Sequence, residues 1–208
     1  MDLGVRAYEE VWALQKEMVA ARQRDEVPDT LLLVEHPHVI TLGRGSHKEN
    51  LVAVGDVPMF EIERGGDVTY HGPGQLVGYP ILLLRQHERD LHVYLRNLEE
   101  MLLRTVAAFG ITGFRNPGWT GVWTETPGGG PPRKLASIGV AVKRWVTLHG
   151  FALNVSTDLA RFSAINPCGL DHTVMGSISS VLGQDVGIDA VKGHVSRHFA
   201  DVFARTAS

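Results

Sequence analysis

The stretch RGGDVTYHGPGQLVGYP, residues 64–80, sets how the rest of the chain is read. It places a cation, a glycine pair, a Tyr-His step and a Gly-Pro-Gly turn in one short run. Gly65 and Gly66 tolerate φ > 0 and, without side chains, admit a ligand to the backbone. Residues 67–71 alternate polar and apolar, the pattern of a short half-buried strand. Pro73 fixes φ and lacks an N–H, so residues 72–74 form a turn and not a ladder. Residues 76–84 then run apolar as a buried strand. The run packs poorly as a core and well as a ligand cradle. Two tight turns in a β-meander are the plainer reading of the same residues.

On the N-terminal side, residues 5–23 read as a helix. Tyr8, Val11, Trp12, Met18 and Val19 fall near one face, with Gln15 as the flaw in the stripe. Strands are expected at 30–35, 39–42 and 59–63. The second runs into Gly43-Arg44-Gly45, whose amides and guanidinium suit a carbonyl or a phosphate, or form an ordinary glycine turn. On the C-terminal side, 90–109 is the clearest helix: Asp90 is a good N-cap, six apolar residues from Leu91 to Phe109 repeat at helical spacing, and Gly110 suits the stop. Residues 118–124 form a strand whose Trp119 and Trp123 serve as an acyl-pocket wall or as core. A Gly- and Pro-rich loop, 126–133, leads to Lys134. Residues 135–142 and 145–155 read as a hairpin turned at Lys143-Arg144. Short helices are expected at 157–162 and 177–182, a loop carrying the cysteine at 165–173, and a last helix at 188–205. No repeat, linker or regular βαβ alternation appears. The expected fold class is α+β: one domain over residues 1–208, a mixed or antiparallel sheet flanked by helices.

Length and composition narrow the function classes. The 208 residues suffice for one domain with a real core. A net charge of −3 gives no field to hold nucleic acid or an anionic membrane. No apolar run approaches the roughly 20 residues that span a bilayer. Asp2, Glu9 and Glu10 occupy a start that lacks an apolar signal region, and the single cysteine excludes an internal disulfide; both fit a cytoplasmic protein.

Cys168 is the first candidate for chemistry. Pro167, Gly169, Asn166, Asp171 and His172 surround it, a loop setting and not a core one. A free thiol titrates near pH ~8.5, so catalysis needs a cation or base beside it. Lys134, His71, His149 and His172 are the available partners, and the residues alone do not choose among them. His71 and His149 each precede a glycine, and a neutral imidazole there can donate to a carbonyl oxygen or orient a partner. Ten histidines raise the question of a metal, but neither HExxH nor paired-cysteine spacing is present, and none is expected.

The 64–80 run resembles the signature of the lipoyl(octanoyl) transferases, a family similar in fold to lipoate-protein ligases and biotin ligases. Lys134-Leu-Ala-Ser-Ile-Gly, His149-Gly-Phe-Ala-Leu-Asn154 and Asn166-Pro-Cys-Gly169 follow in the family's order. The resemblance covers residues 31–182 and implies a biotin/lipoyl-ligase-like catalytic domain. It implies an acyltransferase without cofactor or metal, moving octanoyl from octanoyl-acyl carrier protein through a Cys168 thioester to a lysine of lipoyl domains. The acceptors it implies are the E2 subunits of 2-oxoacid dehydrogenases and the glycine cleavage H protein. It selects Lys134 as partner of Cys168. It further implies a substrate-binding set of Arg64, Gly65, Gly66, Asp67, Val68, Thr69, Tyr70, His71, Ser137, Ile138, Gly139, His149, Gly150, Phe151 and Ala152. Asp67 is set apart, because its side chain could face solvent. A lysine base must be partly desolvated. Backbone N–H groups near Gly65-Gly66 or Ser137-Ile138-Gly139 suit an oxyanion. An acidic carrier calls for local basic residues, and Arg44, Lys48, Lys143 and Arg144 are candidates. The rival classes are an ATP-dependent lipoate-protein ligase, a non-catalytic module binding lipoyl or carrier domains, and a thioesterase.

Overall fold

The computed structural model describes residues 1–166 and 174–204. Its elements are β1 (Asp2–Val5), α1 (Tyr8–Gln23), β2 (Thr30–Glu35), β3 (Val39–Leu42), β4 (Met59–Glu61), β5 (Val68–His71), β6 (Gln75–Ile81), α2 (Leu91–Ala107), β7 (Gly113–Asn116), β8 (Trp119–Thr124), β9 (Arg133–Lys143), β10 (Val146–Asn154), α3 (Ile178–Leu182) and α4 (Ile188–Phe203). Short 3₁₀ turns lie at Lys48–Asn50, Gln86–Glu88 and Leu159–Ala164. Among the described residues no helix is long and apolar enough to cross a membrane.

Seven strands form one sheet in the order β1-β2-β6-β10-β9-β8-β7, and three form a second in the order β4-β3-β5. In the large sheet only β1 runs parallel to its neighbour; in the small one β3 and β4 are parallel, and β5 is antiparallel to β3. This is the mixed α+β class expected. The alternation of β2 and β6 sorts the core. Leu33 and Leu76 face α2 and α4, while Leu32, Val34, Val77, Tyr79 and Ile81 face α1. β10, the middle strand of the seven, and β6 beside it are buried along their whole lengths.

The helices form where apolar spacing and caps agree. In α1 the buried residues are Tyr8, Val11, Gln15 and Val19, one stripe at helical spacing. Gln15 is fully buried because its side-chain oxygen accepts the His149 amide at 2.8 Å. The flaw in the stripe is therefore a hydrogen bond to β10. Asp90 caps α2, accepting from the amides of His92 at 2.8 Å and Val93 at 3.2 Å. β1 and β7 were not expected. Residues 5–7 belong to the end of β1 and the link to α1, not to the helix.

Candidate active site

One pocket lies between the α1 face of the large sheet and the chain from Ile62 to His71, enclosing ≈ 600 Å³ counted out to its mouth. The structure brings to it Arg64, Gly66, Asp67, Val68, Thr69, His71, Lys134, Ser137, Ile138, Gly139, His149, Gly150, Phe151 and Ala152. Tyr8, Ile62, Val77 and Tyr79 also line it. Alternation along β6, which puts positions 77 and 79 on one face, was the signal for the last two. Two expected residues stand aside. The Gly65 amide donates to the Val140 carbonyl at 2.9 Å. Tyr70 turns to the opposite face of β5, its ring on Phe162 and its hydroxyl sharing a 2.6 Å hydrogen bond with His38 Nδ1. Cys168 and His172 lie outside the described residues.

Arg64 is buried and its guanidinium is held by oxygens: Nη2 donates to the Thr41 carbonyl at 2.8 Å and to Thr41 Oγ1 at 3.1 Å, and Nη1 to the Gly65 carbonyl at 3.1 Å. Two glycines make room for it. A Cβ on Gly43 would stand 2.8 Å from Arg64 Nη1, and one on Gly139 2.9 Å from Arg64 Cδ. The Gly43-Arg44-Gly45 loop does not offer its amides to an anion. They donate to the carbonyls of Asp67, Arg64 and Gly66 at 3.4, 3.0 and 3.0 Å, so the loop is stitched onto the glycine run. Asp67 does not face solvent either. Its buried carboxylate accepts from the amides of Val68 at 2.7 Å and His47 at 3.3 Å, and from the Asn50 side chain.

His71 Nδ1 lies 2.8 Å from Gln75 Oε1, while the Gln75 amide nitrogen donates to Asn154 Oδ1 at 2.9 Å and to the Tyr70 carbonyl at 3.3 Å. That chain assigns the proton to His71 Nδ1 and leaves Nε2 as an acceptor, 3.5 Å from Thr41 Oγ1. Burial, with the charges of His36 and Arg64 adding to it against the Gln75 bond, pushes the imidazole down to about 3. His149 adopts a left-handed backbone, φ 58°. Its ring is buried, with Nε2 3.4 Å from Glu63 Oε2, which also accepts from Trp12 Nε1 at 3.1 Å. Burial lowers this imidazole to about 4 although Glu63 opposes the shift.

Lys134 enters from the other end of β9 and is only 8% exposed, its Nζ 5.5 Å from the centre of the Trp123 ring. Trp123 is thus the floor beneath the lysine, and neither Trp119 nor Trp123 lines the pocket. The backbone of Lys134 is tied to the segment after the cysteine loop: the Gly176 amide donates to its carbonyl at 3.0 Å. The Asn154 side-chain amide donates to the Gly176 carbonyl, also at 3.0 Å. The arrangement is a cavity with an apolar wall, one buried cation from Arg64, neutral imidazoles, and an amine at its edge. It can take an apolar group with a polar end beside the amine.

Comparison with known proteins bears on family and fold. The family described as the lipoyl protein ligase A/B catalytic domain matches residues 7–200. An octanoyltransferase of Syntrophotalea carbinolica is 52% identical over 198 residues, covering 95% of this chain and 90% of the relative. One from Geobacter metallireducens is 50% identical with the same coverage. Among solved structures, a bi-partite lipoate protein ligase from Thermoplasma acidophilum superposes with a TM-score of 0.76 at 16% identity, covering 100% of this chain and 84% of that one. That likeness speaks to the fold, and the extent of the family match and of the two relatives speaks to descent. The chain belongs to the lipoyl protein ligase A/B catalytic domain family.

Proposed function

We propose that this chain is an octanoyltransferase that moves an octanoyl group from octanoyl-acyl carrier protein to a lysine of a lipoyl domain, through a thioester on Cys168. The observation that carries the reading is Lys134, an amine buried at the edge of a pocket walled by Ile62, Val77, Tyr79, Phe151 and Ala152. The names of the relatives that span nearly the whole chain support it. In the first half-reaction the Cys168 thiolate adds to the donor's thioester carbonyl, and collapse expels the carrier's thiolate. In the second, the acceptor lysine amine adds to the enzyme thioester, gives its proton to Lys134, and Cys168 leaves as thiolate. The thioester keeps the acyl group activated, so the route uses no ATP. Arg64, the 66–71 run, residues 137–139 and residues 149–152 form the acyl-binding walls. Burying the tail at about 0.8 kcal/mol per CH₂ contributes several kcal/mol before the costs of binding. The proposed unit spans residues 1–208. It works in the cytoplasm, where the chain's only cysteine stays reduced and acyl carrier protein, the E2 lipoyl domains and glycine cleavage H protein are its partners.

A ligase reading has one observation in its favour, the fold shared with solved lipoate-protein ligases. Intact-mass analysis separates the two. Mixed with octanoyl-carrier protein and no ATP, the chain gains one octanoyl group, released by hydroxylamine and missing from Cys168→Ser. Lys134→Ala loses acyl transfer by roughly 10²–10⁴-fold. Transfer that needs free acid and ATP, with no adduct, rejects the proposal in favour of a ligase. Release of free octanoate in the presence of acceptor identifies a thioesterase.

A further inference from the structure

We infer that the backbone N–H of Ile138 is the donor that holds the acyl carbonyl oxygen as it becomes an oxyanion. The inference rests on the acyl-transfer reading above and is fixed by the register of one hairpin. Arg144 (φ 51°) and Trp145 (φ 66°) are both left-handed, the mark of a two-residue type I′ turn between β9 and β10. In such a hairpin the flanking pair, Lys143 and Val146, exchanges both hydrogen bonds, so Lys143 directs its N–H and C=O at β10. Pairing runs without a shift from Lys143↔Val146 to Ala136↔Leu153. Peptide direction alternates along a strand, so 141, 139 and 137 also face β10, whereas 142, 140, 138 and 136 face away.

Two observations independent of the turn check this parity. The outward Val140 carbonyl accepts from the Gly65 amide at 2.9 Å. The Ala136 carbonyl oxygen points at β8, 2.2 Å from where a Cβ on Gly121 would stand. β8 pairs with β9 no further along than Ala136. The outer edge of β9 is therefore covered at Ala136 by β8 and at Val140 by Gly65. Between those two carbonyls the outward amides are those of Ile138 and Val140; among the described residues no hydrogen bond from either is found, and of the two only Ile138 lines the pocket. Ile138 lines the pocket with Gly66 and Lys134.

Most other amides near the pocket are committed elsewhere; that of Gly66, which also lines it, donates no hydrogen bond found among the described residues and is the one further candidate. Gly65 donates to Val140, the Gly43-Arg44-Gly45 amides to the 64–67 run, and His149 to Gln15. Ser137 and Gly139 face β10. When a thiolate sulfur bonds to the acyl carbon, the carbonyl π pair moves onto oxygen, and the Ile138 N–H donates to that oxygen. When the carbonyl re-forms, the carbon–sulfur bond to the carrier breaks and the pair leaves on the carrier's sulfur. The same donor serves when the acceptor amine attacks, its proton passing to Lys134.

The test replaces the Ile138 amide by an ester, with the matching α-hydroxy acid incorporated into the full chain. The ester keeps the side chain and removes the N–H. A Val142 ester, outward-facing but away from the pocket, is the control for backbone damage. The Ile138 ester is expected to lower the first-order acyl-transfer rate roughly 10²–10³-fold with little change in KM. The Val142 ester stays within about 3-fold of the parent, as expected where no transition-state donor is lost. A folded Ile138 ester that turns over like the parent overturns the inference, as does an equal loss in the Val142 ester. Rates are read with octanoyl-carrier protein and with free octanoate plus ATP. A parent active only in the second mode rejects the transferase reading, and the ester comparison, made in that mode, still decides the role of Ile138.

Discussion

His36, His71 and His149 surround or back the pocket, and each is held neutral, at about 4, 3 and 4, with burial the largest cause in every case. His36 Nδ1 donates to the Arg6 carbonyl at 2.8 Å, which leaves Nε2 to accept from the Tyr79 hydroxyl at 2.9 Å. The consequence is a stability profile with a definite sign. An unfolded imidazole titrates near 6.5, and these folded ones titrate lower. Above pH ~6.5 both states are neutral and stability is full; as pH falls toward about 4 the unfolded chain takes up protons that the folded chain refuses, and stability is lost. Each group contributes up to about 1.4 kcal/mol per pH unit, so three give a slope of up to about 4. Urea midpoints at several pH values between 7.5 and 5 measure it, and His36→Gln should remove about a third of the slope. A midpoint that stays level from 6.5 to 5 contradicts the neutral assignment. None of this was legible in the sequence. Tyr-His-Gly and Leu-His-Gly mark two of these histidines as worth attention, but burial depends on α1 and Phe60 closing over them, contacts that join distant parts of the chain.

Elements set by local signals were legible, and those set by distant pairing were not. The α2 and α4 stripes, the Asp90 cap and the β9–β10 hairpin follow from spacing and caps, and they fall within a few residues of the expected bounds. β1 is a four-residue strand, mostly exposed, and its partner β2 lies about 30 residues on, so no alternation marks it. The division into two sheets is likewise invisible locally, because the parallel β3–β4 pair has no crossover helix to announce it. The register shift between β8 and β9 is a further case, and it decides where Lys134 lies. Gly121, with φ 131°, lies just before that shift, which falls between Val122 and Trp123, and a Cβ on it would stand 2.2 Å from the Ala136 oxygen and 3.0 Å from Lys134 Cε. Gly121→Ala should cost about 1–3 kcal/mol through backbone strain and displace the lysine. In acyl transfer it should lower kcat more than it raises KM. Gly118→Ala, also at positive φ but with nothing within 4 Å, isolates the backbone contribution. Thermal unfolding and transfer rates on both variants check the argument. Equal transfer rates in the two would show that the shift does not position Lys134.

At the scale of the whole molecule the proposed function raises the question of how an acidic carrier would approach a chain whose own net charge is −3. Long-range attraction is absent, so steering must come from local cations. Lys143 and Arg144 are exposed at the tip of the β9–β10 hairpin, and Arg44 is exposed on the loop stitched to the glycine run. Beside the first two, Trp145 is 42% exposed with the Arg89 guanidinium 5.1 Å from its ring centre, an apolar plate between cations. The tip stands five residues beyond Gly139, roughly 15–17 Å along the strand from the pocket wall. A carrier seated there would have to hold its acyl thioester on an arm long enough to span that distance. Reversing both charges, Lys143→Glu with Arg144→Glu, should therefore slow encounter and leave the chemical step alone. The expected result is a fall in kcat/KM for the carrier-bound donor of about tenfold at low ionic strength, shrinking toward parity at ~1 M salt, where screening acts within about 3 Å. The rate at saturating donor stays unchanged. A small octanoyl thioester lacking the carrier should show no difference between parent and variant. Loss with the small thioester would mean that the hairpin itself has been damaged. No loss with the carrier at low salt would remove this end of the molecule as the docking surface and turn attention to Arg44.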